Sequence, residues 1–418
     1  MPLPTPFHSR TAAACESYEW RNWSGYLSAG IYEMSHDREY YAIRNSAALI
    51  DVSPLFKYEV TGPDAARLVD RVITRDVTKQ RVGQVYYTPW CDAHGKVIDD
   101  GTVSRLEANR FRITSADPNG RWFQDVGYGL NATVTEVTDD LAALAIQGPR
   151  SRAILKEVVS GVDLDKLRYF HLAQGTFDGL PVTVTRTGYT GDLGYELWVR
   201  PEHAERLWDC LIDRGQGHGI LPAGIMALDI ARVEAGLIMI AVDYVSSHHA
   251  VIESQKSSPY EIGLGWAVAP NKGDFIGRRA LAAERAKGSV WGFVGVRYDW
   301  PALERLFAEE DLPPRVAGRA SRSAVPVYET GNPGRTGLSS GHIGQITSHT
   351  FSPILKQYIG IGTLLTPHAQ IGNRVDVEVT VEFKRKLCPA TIVATPFFDP
   401  ERKKAQGSGG AGEQGRKS

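Results

Sequence analysis

Apolar and polar positions recur along this chain in two periods, and the switches between them predict its elements. The run Val182-Thr183-Val184-Thr185 is β-branched and reads as a strand. Gly188, Gly191 and Gly194 then allow a tight turn, and the chain leaves as a second strand. In that strand Tyr195, Leu197 and Val199 share one face, while Glu196 and Trp198 take the other. Further strands are predicted over 48–52, 58–62, 83–88, 96–103, 110–115 and 142–147. Helical spacing marks 39–46, 119–127 and 149–159, and a segment entered at Pro63 that places Ala65, Leu68, Val69 and Val72 together. Two more helices are expected at 201–214, with Ala204, Leu207, Trp208 and Leu211 in register, and at 223–235, stopped by Gly236.

Near residue 290 the pattern changes. Short β-type runs at 325–328, 341–343, 359–361, 375–383 and 391–393 are separated by glycine and proline, which predicts a small antiparallel barrel. Before that point, strands and helices mix without regular alternation, so the fold class is α+β rather than doubly wound. Gly263-Leu264-Gly265 lacks a third glycine, and no dinucleotide fingerprint follows a strand. The expected organisation is an N-terminal extension at 1–30, whose first 15 residues are loosely held, a bipartite α+β region at 31–288, the barrel at 289–400, and a disordered Gly-, Ser- and charge-rich tail at 401–418.

Composition narrows the partners. The formal net charge is −1 over 418 residues, with no long run of one sign before the tail, which argues against nucleic acid. No apolar run approaches the roughly 20 residues of a spanning helix, so no membrane is expected. Cys15, Cys91, Cys210 and Cys388 are scattered and form no CxxC pair, which suits reduced thiols in a cytoplasmic protein with no secretory signal.

Three places carry candidate chemistry. Glu196 holds a carboxylate beside an aromatic ring on stiff backbone, where it can accept two parallel N–H bonds from a flat amino-heterocycle such as a pterin. A solvated hairpin carboxylate is the competing reading. Val97 and Ile98 lead a strand to Asp99, which can sit partly desolvated near a ligand nitrogen; two solvated acids at a strand end would look the same. His248 and His249 are adjacent and lack a metal-binding companion set, so no metal site is expected, and no G-x-S-x-G elbow occurs.

The segment Arg186-Thr187-Gly188-Tyr189-Thr190-Gly191 resembles the signature of the glycine-cleavage T-protein superfamily, whose members transfer one-carbon units to tetrahydrofolate. Similar text recurs in the expected order, including Gly95-Lys96-Val97-Ile98-Asp99-Asp100, Arg232-Val233-Glu234-Ala235-Gly236, Gly263-Leu264-Gly265-Trp266, Asp274-Phe275-Ile276-Gly277 and Pro396-Phe397-Phe398-Asp399. The resemblance covers roughly residues 30–400 and implies folate-binding T-protein-like domains followed by a small antiparallel C-terminal β-barrel. It implies tetrahydrofolate as cofactor, with Tyr87, Asp99, Tyr189, Glu196 and Arg232 around it. Asp99 would face N5 and act in catalysis, Asp100 would be its structural neighbour, and Glu196 would recognise the pterin. Arg232 fits a helix ion pair equally well.

The chain departs from the T-protein pattern where donor contacts fall. Trp23-Ser24-Gly25-Tyr26 replaces a Phe-Gly-Gly-Trp-like entry, Leu228 stands in place of an arginine, and Asp51-Val52-Ser53-Pro54 lacks the Ser-His-Met ending. Tyr244, after an apolar segment, could protonate a leaving phenolate, Arg121 could clamp a substrate carboxylate, and His248 would stand beside them. This set is similar to the tetrahydrofolate-dependent O-demethylases of the same superfamily, and implies an enzyme taking a methyl group from a small methoxylated aromatic donor. Two alternatives remain: an aminomethyltransferase served by a lipoylated carrier protein, and a non-enzymatic folate-binding module.

Overall fold

The computed structural model describes residues 1–315, 318–331 and 341–407. Two sheets and a barrel form its framework. One sheet has five antiparallel strands in the order Val85–Cys91, Val97–Glu107, Arg110–Ser115, Phe56–Thr61, Thr133–Glu136. The other has seven strands, with Gly194–Val199 between Leu180–Thr185 and Ala142–Gln147, then Ala47–Asp51 and a parallel edge strand Ile220–Pro222. The closed six-stranded antiparallel barrel begins at Trp291–Tyr298 and ends at Lys384–Val393. The α+β class and the C-terminal barrel agree with the patterning.

Apolar periodicity explains the packing of the first sheet. Helix Ala65–Val72 buries Ala65, Leu68, Val69 and Val72 against Tyr58, Val60, Trp90, Ile98, Val103 and Phe111. Side chains on the opposite face of the same strands are polar, among them Asp100, Thr102, Ser104 and Thr114. Helix Ala204–Gly215 follows a short turn at Pro201–His203 and buries the four residues its spacing selects. Helix Ile225–Glu234 ends before Gly236, whose φ of 65° lies in the left-handed region.

Both ends differ from expectation. The first residues are tied down rather than loose: Phe7 is fully buried, Thr5 donates to Asp51 at 2.6 Å, and helix His8–Ala14 packs against helix Ala204–Gly215, where Arg10 donates to both oxygens of Asp209 at 2.8 Å. At the other end, the expected disorder does not begin at 401. Arg402 pairs with both oxygens of Asp192 at 2.7 and 2.8 Å, and Arg186 donates to the carbonyls of Lys403 and Ala405. The rest of the expected tail, 408–418, lies outside the described residues. Besides helix His8–Ala14, two further helices escaped the patterning, Arg278–Lys287 and Trp300–Ala308; in the first of these only Leu281 is buried, so it carries almost no apolar stripe. Among the described residues no helix is long and apolar enough to cross a membrane.

Candidate active site

Strand Val97–Glu107 sends alternate side chains to opposite faces, and that alternation separates the two aspartates. Asp99 shares the core-facing side with Val103 and has no exposed surface. Its Oδ2 accepts from Asn119 Nδ2 at 2.8 Å and from the Asp117 amide at 3.1 Å. Asp100 is in phase with Thr102 and Ser104 and keeps accessible surface. Tyr87 donates to its Oδ2 at 2.6 Å, and Tyr244 donates to its Oδ1. Of the two, Asp99 is thus the fully buried carboxylate and Asp100 the one that keeps accessible surface. The polar phase of Thr102 and Ser104 was the signal in the sequence.

Burial raises the pKa of both carboxyls; the charge of Asp100 adds to the effect on Asp99, while the Tyr244 and Tyr87 hydroxyls oppose it at Asp100. Two acids this close do not both ionise freely, so one proton is retained by the pair above the usual carboxylate range. Tyr244 lies 4% exposed, and burial together with Asp100 and Asp99 holds its phenol protonated. The group is a phenol donating into an acid pair, which can pass a proton in either direction.

Glu196 approaches from the second sheet. Its Oε2 accepts from Thr187 at 2.8 Å and Thr185 at 3.4 Å, while the Trp198 indole donates to Thr185 at 3.2 Å. Burial raises its pKa, and no Lys, Arg or His among the described residues forms a salt bridge with it. A half-buried carboxylate with no cation to neutralise it, and one oxygen left without a protein donor, fits a ligand that brings its own N–H groups. A pterin edge meets that demand. Tyr189, on the turn between the two strands, donates its hydroxyl to the Ile238 carbonyl and packs against the buried cluster that includes Trp198 and Leu228; Asp100 is among the charges that perturb it.

Three other candidates stand elsewhere. Arg232 is fully buried and its donors are used: Asp229 at 3.0 Å, the Leu237 carbonyl at 3.2 Å, Asp243 at 2.5 Å and Ser348 at 2.8 Å. It braces helix Ile225–Glu234 against the barrel, whose Thr347 and Ser348 also donate to Asp243, so the ion-pair reading holds and the cofactor contact does not. Arg121 points to solvent with 86% of its side chain exposed and pairs with Asp125 one helical turn on. His248 is exposed, its ring edge-on to Trp122 at 5.3 Å. Among the described residues no group of three or more His, Cys, Asp or Glu is placed to hold a metal ion.

Residues 6–272 match the GCVT N-terminal domain, and residues 317–399 match the glycine cleavage T-protein C-terminal barrel domain. The chain is 34% identical over 416 residues to a trimethylamine-oxide aldolase of Ruegeria pomeroyi, covering 96% of this chain but 48% of the aldolase. It is 32% identical over 385 residues to an aminomethyltransferase of Halothermothrix orenii, covering 91% of this chain and 95% of that protein. The fold superposes on glycine cleavage system aminomethyltransferase T from Bartonella henselae with a TM-score of 0.78 at 21% identity, over 96% of this chain and 99% of that one.

Proposed function

The chain belongs to the glycine cleavage T-protein family, and on that premise we propose that it is a tetrahydrofolate-dependent one-carbon transferase, moving a methyl group from a small methoxylated molecule to the folate. The observation that carries this reading is the Tyr244–Asp100–Tyr87 cluster, a proton-sharing group that keeps accessible surface at Asp100, together with the half-buried Glu196, which no protein cation neutralises. Glu196 would grip the pterin edge, with the Tyr189 and Tyr87 rings beside it. Tetrahydrofolate, when bound, supplies N5 as the nucleophile. Asp100 is placed to take a proton from a secondary amine, and Tyr244 to give one to a departing oxygen. Their shared hydrogen bond lets the acid just formed re-protonate the phenol, so the cluster ends as it began. General acid–base help of this kind contributes about 10²–10⁴-fold in rate.

Arg121 takes no part in this arrangement, so a donor carboxylate would need another partner. A second reading, aminomethyl transfer from a lipoylated carrier, is supported by the aminomethyltransferase relative matched over 95% of its length. Incubating the protein with tetrahydrofolate and, separately, methoxybenzoates, a sulfonium compound, methylamine donors and an aminomethylated lipoyl carrier decides between them. Mass analysis should find 5-methyltetrahydrofolate with a methoxylated donor. Methylenetetrahydrofolate from the carrier alone would favour the second reading and defeat the first.

A further inference from the structure

We propose that Gln147 is the positioning residue of the pterin contact: its side-chain amide locks the turn 186–194 and so fixes the carboxylate of Glu196, an inference that rests on the folate reading above. Gln147 ends strand Ala142–Gln147, is 1% exposed, and has Gly194 beside it on one neighbouring strand and Ala48 on the other. A side chain rooted between two paired strands stands on stiff backbone. Its Nε2 donates to the carbonyls of Thr187 at 3.2 Å and Tyr195 at 3.3 Å, and its Oε1 accepts from Thr190 Oγ1 at 2.8 Å.

Both carbonyls belong to residues that set Glu196. Thr187 Oγ1 donates to Glu196 Oε2 at 2.8 Å, so the placement of residue 187 decides where that oxygen is held. The Tyr195 carbonyl lies in the peptide plane from which Glu196 departs. The ladder between Leu180–Thr185 and Gly194–Val199 has its last rung at Thr185 and Glu196. Beyond that rung the two arms of the hairpin open, and the Gln147 amide bridges them at Thr187 and Tyr195.

The turn glycines report the same clamp. Of Gly188, Gly191 and Gly194, only Gly191 has a positive φ, 73°, so backbone conformation accounts for one of the three. The other two are needed for room, because a Cβ on either would overlap the Gln147 amide. The chemistry is equally restrictive. Two carbonyls call for N–H donors and a threonine hydroxyl for an acceptor, a combination that a primary amide supplies and a carboxylate or an apolar side chain does not. Thr187, Thr190 and Tyr195 are all buried, so losing the amide leaves their polar groups unpaired unless the turn shifts.

Calorimetry with tetrahydrofolate on four full-length proteins tests this: the wild type, Gln147→Met, Glu196→Gln and the double variant. Gln147→Met keeps the length of the side chain and removes its hydrogen bonds. It should weaken tetrahydrofolate roughly 10-fold in the wild-type background and less than about twofold further in Glu196→Gln, because it acts through that carboxylate. Gly188→Ala crowds the same amide from the other side and should reproduce the pattern. Additive losses, or no loss in a folded variant, overturn the positioning role and leave the folate reading intact. Circular dichroism showing both Gln147→Met and Gly188→Ala unfolded overturns it too, since the amide would then serve the whole domain. A wild type that binds no tetrahydrofolate overturns the positioning role and the folate reading together.

Discussion

Replacing each aspartate of the pair by asparagine separates their roles. Asp100 accepts two phenolic hydrogen bonds, from Tyr87 at 2.6 Å and from Tyr244, and keeps accessible surface. In Asp100→Asn the proton acceptor is lost, so kcat should fall about 10²–10⁴-fold. The fold should not suffer, because one of two mutually repelling buried acids has become neutral, and Tm should stay level or rise. Asp99 accepts three N–H donors, from Asn119, Asp117 and the Asp100 amide. An asparagine there must turn its own NH₂ toward at least one of them, at a cost of about 1–3 kcal/mol, read as a lower Tm. The assays are single-turnover transfer, followed by the mass of the folate product, and thermal unfolding of each variant. Burial raises both carboxyl pKa values, so the wild-type rate should rise with pH through a step above the ordinary carboxylate range, and Asp100→Asn should lose that step. If Asp99→Asn instead abolishes transfer at unchanged stability while Asp100→Asn is active, the assignment of faces is wrong.

Three further outcomes follow from the geometry. Glu196→Gln replaces one acceptor oxygen of the uncompensated carboxylate by a donor, and should weaken tetrahydrofolate binding by about 1.5–3 kcal/mol in calorimetry; unchanged affinity would remove the pterin contact. Arg232→Ala leaves Asp243 buried without its cation and Asp229 with Arg322 alone, and should cost about 3–5 kcal/mol in denaturant unfolding; a stable variant with selectively lost folate affinity would restore the cofactor role. His349, half-buried on barrel strand His342–Ser352, has its pKa lowered by desolvation from 6.5 to about 4. The unfolded chain binds this proton first, so stability is full above pH 6.5 and is lost as pH falls toward 4, by up to about 3 kcal/mol. Tm measured against pH should show that slope in the wild type and a shallower one in His349→Phe.

Much of the local structure was legible because it depends on neighbours in the chain. The stripe of Ala65, Leu68, Val69 and Val72 and the hairpin that carries Glu196 needed only side-chain period and turn glycines. The turn at Glu382 and Phe383 was not legible: both residues adopt positive φ, 45° and 66°, without the glycine or asparagine that normally announces it, so the predicted strand 375–383 runs past its true end at Val381.

By itself, then, the sequence determined the α+β class, the barrel, and which acids and phenols were available for chemistry, since periodicity and residue type act over a few positions. Only the tertiary structure decided what each of them meets. Asp99 and Asp100 are adjacent in the chain, yet strand pleating gives one to Asn119 and the other to Tyr87 and Tyr244. Arg232 became a brace because Asp243, 11 residues on, and Ser348, 116 residues on, close on it. The free energy of a charged group is set by its surroundings in space, and those exist only once distant segments have packed together.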